Sequence, residues 1–400
     1  MANELRNVVV VGGSYVGMET AKELAKQLPP THRVLLVEPH THFHHLFAFP
    51  RFAILPGEEH KSFIPYSGLF SSSSPHRILR AKAISLPSSH TLRLDRPVSL
   101  FSSDVIEFEY LVAATGTHLS APGTLPHDSK PANILFLQRY QTALSHAKSV
   151  MIVGGGAVGV QMACDLAELY PAKKVVLVHS REHLMTAYHP ALSNLIKERF
   201  KELGVELITG ERVVIPASGF PSEAQEEGIE VKLQSGRTLK ANFVVLATGQ
   251  KANNAWLTGP GLLQGEEGVL LNEKNGFVRV RPTMQFAAEN LGHCFAVGDI
   301  NDCGMHKAAR PGYVQAGVAA RNIVRMIKGE EANEEIVKGV AGIHLTLGLK
   351  QNVIFRNPNT AAGDTEPFIN RKEDGQEDMN IDAVWIRRGV QVATPQEYHL

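Results

Sequence analysis

A chain of 400 residues with 40 Lys and Arg against 40 Asp and Glu has a formal net charge of +0, which argues against a nucleic-acid-binding role built on a basic face. Its 44% hydrophobic and 20% charged residues are the balance of a soluble globular protein of two or three domains, and no apolar run reaches bilayer-spanning length. Cys164, Cys294 and Cys303 stand outside any CxxC or CxxxxC spacing, so no disulfide framework is implied and a reducing compartment is expected.

The opening MANELRN is too short for a signal or transit peptide. Ala2 excludes N-myristoylation, which needs glycine there. The expected location is cytoplasmic, with at most peripheral contact to a membrane or lipid surface. The 18 histidines are scattered without ligand spacing, so no metal site is expected.

The chain organises around residues 8–38. A valine run, Val8-Val9-Val10-Val11, leads into the turn Gly12-Gly13-Ser14-Tyr15-Val16-Gly17. A helix-forming stretch then ends at Pro29-Pro30, and a second apolar run, Val34 to Val37, closes on Glu38. Strand, tight turn, helix, strand and acid predict a βαβ unit that binds an adenine dinucleotide, and with its carboxylate this one suits FAD. Gly12 permits the turn, and Gly17 lets helix and strand approach. The pyrophosphate belongs on the helix N-terminus, and Glu38 would accept ribose hydroxyls. Ser14 stands where the middle glycine of the pattern is expected. It is small enough for backbone to approach a phosphate.

Residues 39–67 read as an aromatic, proline-broken loop. Loops at the carboxyl edge of a parallel sheet build sites, so Phe43, His44, His45, Phe49 and Arg51 are candidates for a wall near the reacting ring. Surface packing is the alternative reading. Residues 78–112 read as strands and turns, and Leu111 to Gly116 as a strand whose Ala114-Thr115-Gly116 end brings backbone close to a nucleotide.

A complete glycine pattern, Gly154-Gly155-Gly156-Ala157-Val158-Gly159, follows the strand at 150–153. It predicts a second dinucleotide unit, with a helix at roughly 158–170 and a strand from Val175 to Val178. His179, Ser180 and Arg181 come next, with no acid at the ribose position. Ser and Arg there can bind a 2′-phosphate, so NADPH fits, and NADH is not excluded because Ser180 can bond a ribose hydroxyl. A flavin and a nicotinamide in one chain imply hydride transfer.

The strand 243–249 repeats the Thr-Gly ending at Gly249. Cys294 to Asp299 reads as a strand whose Gly298-Asp299 end presents a carboxylate to the flavin's ribityl chain. A helix beginning near His306-Lys307 and running to about Ile327 would stabilise negative charge on reduced flavin, with Lys307 adding to it. Residues 341–356 and 382–387 suggest a small β-rich C-terminal piece, separated by a polar, charged stretch at 357–380.

The order of glycine motif, FHH loop, ATG, glycine motif, ATG and VGD resembles the two-dinucleotide-binding flavoprotein oxidoreductases. More closely it resembles the apoptosis-inducing-factor-like group, with ferroptosis suppressor protein and fungal AMID-like NADH oxidoreductases. The matching stretches include Phe43-His44-His45, Lys61 to Ser67, 154–159, Leu177 to Ser180, Phe295 to Asp299 and Lys307. The resemblance implies non-covalent FAD, NAD(P)H as hydride donor and a quinone or similar small acceptor. It also implies a nucleotide domain inserted into the FAD domain.

The expected fold is therefore α/β, with two Rossmann-like domains. FAD would occupy 1–120 and 250–330, NAD(P)H 121–249, and a β-rich interface domain 335–400. The group often carries an acid two residues past the second motif, where this chain has Gln161. Gln161 and Lys307 are accordingly the residues expected to modulate hydride transfer. A monomer or homodimer without nucleic-acid partners is expected. A slow-turnover redox sensor and a specialised biosynthetic oxidoreductase are the alternative functions.

Overall fold

In the computed structural model, which describes residues 5–258 and 270–400, the valine run becomes the central strand, Arg6–Val11, of a five-stranded sheet. The strand order is Cys294–Ala296, Tyr110–Ala113, Arg6–Val11, His32–Val37 and Arg77–Leu79, all parallel. Parallel strands are covered on both faces and so read as continuous apolar runs. Val9, Val11, Leu35 and Val37 face the antiparallel strands Ala83–Ser88, Thr91–Val98 and Ser103–Glu107 through one buried cluster. The helices Tyr15–Gln27 and Ala309–Ile327 pack against each other. Each fully buried Val or Leu contributes about 1.5–3 kcal/mol, which makes this strand the anchor of the unit.

The chain divides into two compact units. The first takes the described residues of 1–43, 65–118 and 250–339; the second takes 44–64, 119–249 and 340–400. Residues 1–4, with Ala2, and 259–269, within the expected second FAD segment, lie outside the described residues.

The second unit repeats the plan. Its parallel sheet runs Glu206–Ile208, Lys174–Val178, Ser149–Val153 and Phe243–Leu246. Val150, Ile152 and Leu177 share a core with the helices Ala157–Leu169 and Pro190–Leu203. Met151, Val153, Val176 and Val178 share another with the hairpin Ile229–Lys232 and Thr238–Ala241. An antiparallel sheet, Gly342–Thr346, Asn352–Arg356 and Phe368–Lys372, adds Leu345, Val353 and Phe355 to the first of these cores.

Three expectations change. Residues 382–387 are not β: Ile381–Arg387 is a helix that buries Ile381, Val384 and Trp385, a spacing of three and four that fits one helix face. The polar stretch 357–380 contains the exposed strand Phe368–Lys372. Residues 44–64 are only partly surface loop: Phe47 is exposed, but Phe49, Ala53 and Phe63 are buried with Leu125 and Leu137 beside the helix Lys130–His146. Lys130 holds the last residues of this unit: its ammonium donates to the carbonyls of Tyr398 at 2.5 Å and Leu400 at 2.8 Å.

Candidate functional site

The first glycine turn is fixed by what side chains would collide with. Gly12 has φ +104°, and a Cβ there would lie 2.6 Å from the Ala114 carbonyl oxygen. A Cβ on Gly17 would lie 1.7 Å from the Gly12 oxygen. Ser14 caps the helix Tyr15–Gln27 with extended backbone and makes no side-chain capping bond, so the first-turn N–H groups lack the usual cap. Glu38 is buried and accepts from the Gly13 N–H at 2.5 Å and the His40 N–H at 2.9 Å. Tyr66 donates to the Gly13 carbonyl at 2.9 Å, and the Tyr15 ring meets Phe43 edge-on at 5.0 Å. An open cleft of about 450 Å³ is lined by residues including His40, Tyr66, Phe70, Arg77 and Arg80. None of these five was picked out from sequence. Lys61 to Ser67 carried the only signal, for Tyr66.

Further residues of the first unit converge on this turn. Ala114 bonds back to Val11, and Thr115 donates to the Asn253 carbonyl at 2.8 Å. Gly116 and Gly298 take left-handed φ of +60° and +77°. A Cβ on Gly298 would meet Val16 at 3.1 Å. Asp299 makes no hydrogen bond within the described residues, and burial raises its pKa against the opposing charge of Lys307. A half-buried carboxyl without a donor, beside a glycine turn with open N–H groups, suits a ligand that brings hydroxyls and phosphates. The residues therefore fit FAD.

Lys307 stands ahead of its helix, which begins at Ala309 and not near 306. Its ammonium donates to the Asn301 carbonyl and lies 3.8 Å from the Phe277 ring centroid. Burial lowers its pKa, and Asp299 opposes that.

The second turn copies the first. Gly154 has φ +121°, and a Cβ would lie 2.2 Å from the Ala247 oxygen; one on Gly159 would lie 2.0 Å from the Gly154 oxygen. Around Gly156 and Gly249 nothing lies within 4 Å of such a Cβ. The space before the helix Ala157–Leu169 is thus open at the point where a pyrophosphate needs it. His179 takes the place Glu38 holds in the first turn, accepting from the Gly155 N–H at 3.1 Å through Nδ1. Ser180 is half-buried and Arg181 exposed.

Arg51 is a correction. It was expected on a wall near the reacting ring, yet its guanidinium is fully buried and pairs with Asp165 at 2.7 and 2.9 Å. Its remaining N–H groups go to the carbonyls of Gly348 at 2.9 Å, Glu377 at 3.2 Å and Gln376 at 3.4 Å. Every donor of the fork is used within the second unit, leaving none for a cofactor. Gln161 precedes Asp165 by one helical turn, bonds to it, and places its amide nitrogen 3.7 Å from the Met379 sulfur. His45 is buried, and burial together with the charges of Arg388 and Arg387 pushes its pKa down to about 3. Among the described residues no cluster able to hold a metal assembles, and no helix is long and apolar enough to cross a membrane.

A family model described as pyridine nucleotide-disulphide oxidoreductase matches residues 6–321. Fe-regulated protein 8 of Mycosarcoma maydis is 32% identical over 97% of this chain and 96% of its own. Ferroptosis suppressor protein 1 of Mus musculus is 29% identical over 80% and 81%. The solved sulfide:quinone oxidoreductase of Aquifex aeolicus superposes with a TM-score of 0.72 at 18% identity, covering 98% of this chain and 94% of its own. That likeness speaks to the fold.

Proposed function

Because the chain belongs to the pyridine nucleotide-disulphide oxidoreductase family, we propose that it passes reducing equivalents from NAD(P)H through FAD to a quinone or similar small acceptor. It is an FAD-dependent oxidoreductase that uses NAD(P)H. The observation that carries the reading is the doubled turn, with the same backbone approaches at 12–17 and 154–159. FAD, when bound, supplies a ring that takes up hydride and hands electrons on.

The chain's own residues bind and orient. The turn Gly12–Gly17 and Glu38 would hold the FAD pyrophosphate and ribose; Asp299 would take hydroxyls of the chain between. Lys307 places positive charge beside Asp299. The turn at 154–159 would hold the nicotinamide nucleotide, with His179, Ser180 and Arg181 at its adenosine end. Cys164 and Cys294 are buried, and burial raises both thiols. With no paired cysteine spacing, electrons go to a bound small molecule and not to a cystine. The quinone is carried over from the group the sequence resembles.

Purified protein is expected to be yellow. Its visible absorbance should bleach with NAD(P)H and recover when a short-chain quinone is added. Gly156→Val should fill the open space before the second helix and slow bleaching at least about tenfold without lowering flavin content. A colourless protein that takes up no flavin would end this reading.

We assign Gln161 a modulating role through its place beside Asp165. Gln161→Glu would put a second carboxylate one turn from a buried first. It should therefore hold a proton near neutral pH. The expected outcome is a bleaching rate changed by about tenfold, with a new pH dependence and unchanged flavin content. Equal rates in variant and parent across pH 6–9 would remove Gln161 from the mechanism.

A further inference from the structure

The two units close the same turn with chemically different side chains. In the first, the carboxylate of Glu38 accepts the Gly13 N–H. In the second, an imidazole does the work. Because the Gly155 N–H can only donate, His179 Nδ1 is unprotonated, and Nε2 carries the hydrogen it gives to the His183 carbonyl at 3.1 Å. Burial, and the Arg181 charge beside it, hold His179 below its ordinary range. Where the first turn has an anion, the second has no charge.

The next two residues add donors. The Ser180 hydroxyl has no hydrogen-bond partner among the described residues, although the residue is half-buried. Arg181 gives one N–H to Thr186 Oγ1 at 2.7 Å, and the rest of its fork faces no protein acceptor within the described residues. Glu182 follows directly in the chain, and Glu211 is brought alongside by its backbone. The Glu182 carboxylate is turned to Gly210, reaching 2.6 Å from where a Cβ there would sit. The Glu211 amide is bonded to the His179 carbonyl.

We propose that the second unit takes NADPH in preference to NADH, with Ser180 and Arg181 receiving the 2′-phosphate of the adenosine ribose. The inference rests on the oxidoreductase reading above and narrows its donor. A ribose hydroxyl pair is best held by a carboxylate, which repels a 2′-phosphate. This site offers a neutral ring, a free hydroxyl and a guanidinium fork that matches phosphate oxygens.

The test uses flavin-loaded protein and two nucleotide fragments that cannot transfer hydride, 2′,5′-ADP and 5′-AMP, titrated by calorimetry. 2′,5′-ADP should bind about ten- to a hundredfold tighter at low salt, and the difference should shrink as salt rises. Arg181→Ala, at an exposed position, should erase most of the preference, weakening 2′,5′-ADP binding far more than 5′-AMP binding. His179→Glu, which installs the first unit's own arrangement, should reverse it. Equal or tighter binding of 5′-AMP by the parent protein overturns the proposal, as does an Arg181→Ala protein that keeps the preference. If neither fragment binds and neither NADH nor NADPH bleaches the flavin, the oxidoreductase reading falls with it. Bleaching by both at equal rates, with equal fragment affinities, overturns the cofactor choice alone.

Discussion

Arg51→Met is expected to destabilise the second unit by about 3–5 kcal/mol, because it leaves Asp165 buried without its partner. Asp165 is fully buried, and burial already raises its pKa against the pull of Arg51. Without the guanidinium it must take up a proton or draw in water, and the Gly348, Glu377 and Gln376 carbonyls lose their donor. Asp165→Leu should cost a similar amount by stranding the arginine. The double variant Arg51→Met/Asp165→Leu should be more stable than either single one, since apolar side chains of similar volume replace a buried pair at little net cost. Trp385 lies in the second unit and Trp256 in the first. Urea unfolding followed by fluorescence in a Trp256→Phe background therefore reads the right transition. If the two single losses simply add in the double variant, the pair is not coupled.

Acid is expected to weaken the same unit well above the pH at which carboxylates titrate. His45 has a pKa of about 3, lowered chiefly by burial and then by Arg388 and Arg387. The unfolded chain protonates this ring at its ordinary value of about 6.5, while the folded one does not. The stabilisation is therefore complete above that value and is lost as pH falls toward about 3. Between pH 6.5 and 5 the loss is about 2 kcal/mol from His45 alone. His60 and His179, also lowered chiefly by burial, act in the same direction within this unit. The urea midpoint of the Trp385 signal should fall on going from pH 7.5 to 5, and His45→Gln should flatten that fall. An equal fall in both proteins would put the acid sensitivity elsewhere.

The dinucleotide plan was legible because it is local. Gly12, Gly17, Gly154 and Gly159 are each required by a backbone atom that a side chain would strike, and their spacing is fixed by one turn and one helix. Glu38 and His179 could be placed because they follow the second strand directly. Arg51 could not be read, since its partner lies 114 residues away and nothing local distinguishes a clamp from a ligand. Lys307 was placed in a helix that starts two residues later, an ordinary boundary error. The segment Ile381–Arg387 is too short for its period to show, and its apolar residues pass equally well for a strand.

The Arg51 clamp also bears on how the polypeptide is made. Its carbonyl acceptors at Gly348 and Gln376 stand 297 and 325 positions downstream, and Lys130 waits for Tyr398 and Leu400. A ribosome delivering the chain from its N-terminus releases Arg51 and Asp165 long before those carbonyls exist. Until residues 348–377 emerge, the nascent protein holds an ion pair with part of its shell missing. Only once Tyr398 and Leu400 have been made can Lys130 close this half of the molecule.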